Sequence, residues 1–373
     1  MSVRHFDVVV IGGGLVGAAI AFGLRGLGPK LALLDEGDVA HRAARGNFGL
    51  IWVQGKGLGL APYGAWTLRS AREWPRLAAL LREETGVDVA LRQGGGLHVC
   101  LSARELDVRA QRMAQLVAQP DIERCDVEVF DHAGVAARLP AIGPDVAGGT
   151  WCALDGGCNP LRLLLALHVS LARAGAACLA AHPVSAIEPG PGRFALHTPQ
   201  GRIECGRVVL AAGLGNATLA PMVGMALPVT PNQGQVIALE RVRPFLPFPL
   251  ETLRQTDEGT VLIGDAQRDR GFDETQDTGV LAAMAARAVR VFPFLRDARV
   301  IRAWSALRVM SPDGFPIYAQ SPACAGAFAA SCHSGVTLAA VHALTLGPAL
   351  HAGALAAECA PFALSRFDVR AAA

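Results

Sequence analysis

The stretch FDVVVIGGGLVGAAIAFGLRGLGPKLALLDEG, residues 6–37, constrains the fold more than any other part of the chain. Residues 6–11 are a β-branched run suited to a strand buried on both faces. Ala18 to Leu27 are helix formers that end before Gly28-Pro29, and a second apolar strand leads to Asp35. Gly12, Gly14 and Gly17 space as G-x-G-x-x-G between the first strand and the helix. The first glycine permits a tight turn, the second lets a diphosphate approach the backbone, and the third lets helix and strand pack closely. The helix N-terminus, with Leu15 and Val16 in its first turn, offers unpaired N–H groups and a positive dipole end to phosphate. Asp35, followed by Glu36, stands where a carboxylate accepts hydrogen bonds from ribose hydroxyls, and an acidic residue there argues against a 2′-phosphate. A strand, a helix and an acid in agreement predict a dinucleotide site, for NAD or for FAD.

A length of 373 residues suggests two domains, and 51% hydrophobic residues with 18% charged predict a folded, enzyme-sized protein. The formal charge of +2 and scattered arginines exclude a basic nucleic-acid face. Nine cysteines without a C-x-x-C pair do not form a zinc or iron–sulfur ligand set, so no metal is expected; they fit reduced thiols in a cytoplasmic protein. Residues 8–24 could pass for a signal or a short span, but their glycines and the preceding Asp7 argue against targeting.

An NAD domain continues with further βα units, whereas here the second strand leads into HRAARGNFGLIWVQGKG and a helical stretch near Trp66 to Arg82. A second strand and turn, RVVLAAG at 207–213, and a third glycine-centred turn, ASCHSGVTLAAVHAL, which opens the last long helix, lie far downstream. Three separated segments returning to one cofactor suit a long ligand such as FAD. Between them, GGGLHVC, PVTPNQGQVIALE, TLRQTDEGTVLIGD and RVIRAWSALRVMSPDGFPIY read as strands of a sheet that would roof the cofactor. The expected fold is α/β. A discontinuous Rossmann-like FAD-binding domain (residues 1–85, 150–222 and 321–373) joins a sheet-roofed α+β substrate domain (86–149 and 223–320).

On these segments the chain resembles the D-amino-acid oxidase and glycine oxidase family of FAD-dependent amine oxidoreductases, nearly end to end. RGNFGLIWVQGKG, RQTDEGTVLIGDAQ, WSALRVMSPDGFPIY, CHSGVTLA and PFALSRF look most like the catalytic β subunits of opine oxidases, D-hydroxyproline dehydrogenase and hydrogen cyanide synthase. The resemblance implies that Arg42, Ala43 and Ala44 sit at the FAD diphosphate. It places Phe48, Gly49 and Leu50 beside the isoalloxazine, counts Asn47 among the cofactor-binding residues, and sets Val184 at the adenine and Ala212-Gly213 at the second turn. It also brings His333, Ser334, Gly335, Val336 and Thr337 to the flavin pyrimidine edge, where a helix start would stabilise charge developing on reduction.

Arg308 matches the family arginine that pairs with the substrate carboxylate, a role that suits guanidinium geometry. The implied chemistry is oxidation of an amino acid or N-substituted amino acid, of D-hydroxyproline or opine type, to an imine by hydride transfer to flavin N5. Departures leave the substrate open: Ala306 replaces the glycine of many relatives, and the substrate-binding tyrosine has no counterpart, Tyr63 and Tyr318 being the only tyrosines. Tyr318 is expected near the domain junction and Trp52 in the core or an interface, while Lys56 reads equally as a flavin neighbour or a solvated loop residue. The resemblance further implies a hetero-oligomer with an α subunit carrying a nucleotide site and iron–sulfur centres, and a small ferredoxin-like subunit. FMN at a subunit interface and peripheral association with a respiratory chain go with it. The alternatives are a free-standing oxidase that makes hydrogen peroxide and a non-catalytic electron-transfer subunit.

Overall fold

The computed structural model describes residues 3–37, 43–123, 125–264 and 266–367. Strand β1 (Arg4–Ile11) buries Val8 to Ile11 almost completely, as a central parallel strand must. Helix α1 (Leu15–Leu24) stops three residues short of the expected Leu27. Arg25 leaves the helix extended, its side chain pairs with Glu84, and Gly26 and Gly28 follow at positive φ. Strand β2 (Leu31–Leu34) then pairs parallel to β1, completing the βαβ unit.

The chain continues through β3 (Leu50–Ile51) and the long α2 (Ala61–Thr85). Next come β4 (Gly96–Cys100), α3 (Ala103–Val117), β5 (Val127–Asp131), α4 (His132–Arg138) and β6 (Gly148–Cys152). After β7 (Gly156–Gly157) and α5 (Pro160–Arg173), β8 (Ala177–Leu179) returns beside β2. Strands β9 (Ala186–Gly190) and β10 (Arg193–Thr198) form an antiparallel excursion onto β11 (Gly201–Leu210). A second region contains β12 (Thr230–Arg241), β13 (Leu253–Gln255) and β14 (Thr260–Ile263), with a short α6 (Asn216–Leu219) before it. Then follow α7 (Thr278–Val291), β15 (Val300–Met310), β16 (Ile317–Gln320) and β17 (Ala327–Ser331).

The large sheet runs β16-β17-β11-β1-β2-β8, parallel except for β16 at its edge. Its C-terminal edge gathers the turns after β1, β2, β11 and β17, where ligands bind in open α/β sheets. The last helix is interrupted: α8 (Ala339–Val341) passes through a π turn over His342–Leu346 into α9 (Gly347–His351). The irregular stretch crosses α1 at two glycines, since a Cβ at Gly23 would lie 2.2 Å from the Ala343 carbonyl oxygen and one at Gly347 2.7 Å from Gly23 Cα. Tyr318 is fully buried in this layer's core, and its hydroxyl meets Trp66 Nε1 (3.1 Å) and His342 Nε2 (2.7 Å).

A four-stranded antiparallel sheet, β13-β14-β12-β15, and a three-stranded one, β4-β6-β5, enclose a separate core with α7. Directly opposed residues share a face. Arg308 opposes Asn232, Trp304 opposes Val236, and both Ala238 and Arg254 oppose Leu262. One face therefore carries Arg308, Trp304, Leu262 and Arg254, and Phe48 packs against it. Among the described residues no helix is long and apolar enough to cross a membrane.

Candidate active site

The glycine turn is built for close approach. Gly12 has φ +108°, and a Cβ there would stand 2.3 Å from the Ala211 carbonyl oxygen. A Cβ at Gly17 would stand 2.0 Å from the carbonyl oxygen of Gly12, so α1 can lie on the turn only with glycine there. Gly14 has ordinary space and begins α1 with no side-chain cap, leaving the first-turn N–H groups of Leu15, Val16 and Gly17 to a ligand. Asp35 Oδ2 accepts the Gly13 N–H (2.7 Å) and Oδ1 the Gly37 N–H (2.9 Å), tying the end of β2 to the turn, with Glu36 exposed between. His168 of α5 bonds the Gly13 carbonyl from the other side (2.8 Å).

The other expected contacts converge on this edge. Ala44 lies 3.5 Å from the position of a Gly14 Cβ, and Ala43 precedes it; Arg42 lies outside the described residues. The His182 N–H donates to the Asp35 carbonyl (2.8 Å), which brings the segment holding Val184 beside β2. Ala212 and Gly213 follow β11 next to Gly12, and the buried Asn216 fixes that turn. Its Oδ1 accepts the Ala212 N–H (2.9 Å) while Nδ2 donates to the Leu210 and Ala330 carbonyls and to Ser331 Oγ. A buried amide bonded on all sides joins β11 to β17; in the sequence it is simply a polar residue after glycines.

The loop after residue 45 and the segment His333–Thr337 are clamped together. Thr337 Oγ1 donates to the Leu50 carbonyl and accepts the Trp52 N–H, each at 3.2 Å. Asn47 Oδ1 accepts the Gly49 N–H (2.7 Å), and Gly49, at φ +88°, lies so close to Cys158 that a Cβ would be 2.5 Å from its carbonyl oxygen. Trp52 is buried as expected, against Gly96. Beneath the loop, the fully buried Asp155 accepts the Val53 N–H (2.5 Å) and the Gln54 side-chain amide (2.7 Å), and burial raises its pKa. The Val336 carbonyl accepts from Trp74 and the Thr337 carbonyl from Trp74 and Ser70, which fixes this segment on α2. Regular helix begins only at Ala339, after a turn closed by Leu338 N–H to the Ser334 carbonyl.

Lys56 is half-buried and reaches the 333–337 segment. Its Nζ lies 3.4 Å from His333 Nε2 and donates to Ser334 Oγ (3.3 Å), which Tyr63 OH meets at 3.0 Å. Burial, then the charges of Lys56 and Arg308, lower the His333 pKa to about 3, so the imidazole is neutral between two cations. Tyr63 escapes sequence reasoning because a tyrosine in the first turn of a long helix has no distinctive spacing. Arg308 Nη1 donates to the Ala266 carbonyl (2.8 Å) and to Asn232 Oδ1 (3.3 Å). Its guanidinium lies over Gly234, where a Cβ would come within 2.7 Å of Nη1.

A family model described as FAD dependent oxidoreductase matches residues 7–347. The chain belongs to this family. The flavoprotein is 43% identical over 364 residues to an opine oxidase subunit of Agrobacterium tumefaciens (strain Ach5), with 98% of each chain covered. To glycine oxidase of Geobacillus kaustophilus it is 26% identical, covering 97% of each. The crystal structure of glycine oxidase from that organism superposes with a TM-score of 0.88 at 25% identity, over 97% of this chain and 99% of that one. The α/β fold with a parallel, Rossmann-like sheet and FAD dependence thus hold for this oxidoreductase. The uncapped α1 terminus and the glycine turn fit a diphosphate.

Proposed function

We propose that the chain is the catalytic subunit of a multi-subunit enzyme that oxidises the C–N bond of an amino acid carrying an N-substituent, of opine or D-hydroxyproline type. The observation that supports this most is Arg308, held by Asn232 and Ala266 on the sheet face that meets the flavin loop, with Lys56 and His333 near it. The large sheet with its helices serves as the FAD domain, and the two smaller sheets form the substrate side.

When bound, FAD supplies the two-electron acceptor for the hydride leaving the substrate α-carbon. The rest is positioning. Arg308 holds the carboxylate through a charge-assisted pair, fixing which C–H bond faces the cofactor. Phe48, Trp304, Val236 and Leu262 form an apolar wall that keeps water from the reacting face. His333, neutral at physiological pH, accepts from Lys56 without adding a third positive charge. The first-turn N–H groups of α1 would hold the cofactor's diphosphate, and the turn at 333–337 would stabilise negative charge at its flavin end. The imine product leaves and is hydrolysed by water.

Electrons then pass to a partner subunit, a reading supported by two opine oxidase relatives, 43% and 41% identical over 98% of their length, that are themselves named as subunits. The test is anaerobic bleaching of the FAD-loaded chain by octopine, nopaline, D-hydroxyproline, glycine or sarcosine, followed by air. Bleaching that outlasts admission of air is the expected result. Rapid reoxidation would identify a self-sufficient oxidase, and an unresponsive flavin would identify a non-catalytic subunit.

A further inference from the structure

The turn QGKG that follows the flavin loop fixes an ammonium group in the site. The Lys56 N–H donates to the Val53 carbonyl (3.0 Å), and Gly55 and Gly57 flank it at φ +84° and +97°. The half-buried side chain donates from Nζ to Ser334 Oγ (3.3 Å), and Nζ lies 3.4 Å from His333 Nε2 and 5.7 Å from the centre of the Tyr63 ring. None of these neighbours is a carboxylate, and among the described residues Lys56 forms no ion pair. Glu251, an acid that feels the Lys56 charge, is bonded to His98 instead. Arg308 approaches the same imidazole, since the charges of both cations act on His333. The turn after β15 also closes on the lysine's support, with the Phe315 ring 5.4 Å from that of Tyr63. Two cations therefore flank one neutral ring, and the substrate carboxylate assigned to Arg308 answers only one of them.

We infer that Lys56 holds a second carboxylate, on the N-substituent of the substrate, and so selects secondary amines that carry a carboxylate on each side of the nitrogen. The inference rests on the amine-oxidation reading above and narrows it. N-carboxyalkyl amino acids, the opine type, satisfy both cations, whereas glycine, sarcosine and D-hydroxyproline carry one carboxylate and leave the ammonium unanswered. Selection of this kind comes from the charge that the wrong ligand leaves unpaired. Ser334 and the glycine-flanked turn set the ammonium before the ligand arrives, so little freedom is lost on binding. Holding both ends also decides which α-carbon is oxidised, namely the one whose carboxylate sits on Arg308.

The alternative is that Lys56 serves the flavin, as a positive charge near its pyrimidine edge. Two unreactive ethers separate these readings without turnover: diglycolate carries a carboxylate on each side of its oxygen, and methoxyacetate carries one. Each is titrated into the FAD-loaded chain and followed by the change in the flavin absorption spectrum. Diglycolate is expected to bind more tightly. Lys56→Met should cost it about 10- to 100-fold more affinity than it costs methoxyacetate, the worth of a hydrogen bond to a charged group. Lys56→Arg should retain most of the preference. Equal affinity of the wild type for the two ethers would overturn the inference, and that comparison stands even if Lys56→Met loses FAD. An unchanged affinity ratio in Lys56→Met would overturn it too, and weaker sulfite binding by the flavin of that variant would then assign the lysine to the cofactor. Failure of every amine to bleach the flavin removes the oxidation reading, whereas these anion affinities test Lys56 alone.

Discussion

Arg308 is held over the backbone of Gly234, so its position can be disturbed from either side of the β12–β15 pair. Arg308→Ala should raise KM about 10- to 100-fold, the worth of a charge-assisted hydrogen-bond pair, while FAD stays bound. Gly234→Ala, which would place a Cβ 2.7 Å from Nη1, should raise KM in the same direction with the arginine still present. Steady-state kinetics on both variants check this, and unchanged KM in Arg308→Ala would remove the carboxylate role. Asp35→Ala should lower FAD retention on gel filtration, because it removes both the candidate ribose acceptor and the tie to the Gly13 N–H. The sequence showed Asp35 and the three glycines through spacing alone. It could not show that Lys56, Tyr63, Ser334 and His333 meet, since their contacts span 271 to 278 residues of chain and follow no period.

At the scale of elements, the cofactor edge depends on how separate turns are joined. Thr337 links two of them with one hydroxyl, donating to Leu50 and accepting from Trp52. Thr337→Val keeps the shape but leaves a buried N–H and a carbonyl without that partner, at a cost of about 1–3 kcal/mol. Urea unfolding should show that loss, and FAD should dissociate faster from the variant. The βαβ unit was legible in full except for the end of α1, where Arg25 turns away to pair with Glu84 of α2, a contact no local pattern announces. The π turn was equally hidden. It follows from the crossing of Gly23 and Gly347, and the glycines were visible but the partner each would meet was not.

In the whole molecule, chain order and spatial order diverge, and this sets what sequence could reveal. The large sheet draws strands from residue 4 to residue 331, and its layer was legible where β1, β11 and β17 each lead into a glycine-centred turn. In the smaller sheets, β4 and β12 to β15 were read as strands without pairing, since antiparallel register depends on neighbours far apart in sequence, and β5 and β6 were not read at all. The same assembly buries ionisable groups from distant segments and so couples stability to pH. His342, fully buried between Tyr318 and the α1 layer, has its pKa lowered by burial from 6.5 to about 3. Below pH 6.5 the unfolded chain takes up a proton that the folded chain refuses, so the contribution present above that pH is lost as pH falls toward 3. Asp155 acts in the opposite sense: its raised pKa favours the folded state at low pH and loses that contribution as pH rises. The net slope mixes both, and a comparison separates them. Between about pH 6 and 4, wild-type unfolding free energy should fall more steeply than that of His342→Gln by ~1.4 kcal/mol per pH unit. Parallel slopes in urea titrations across that window would mean that His342 is protonated, or reached by water, in the folded protein.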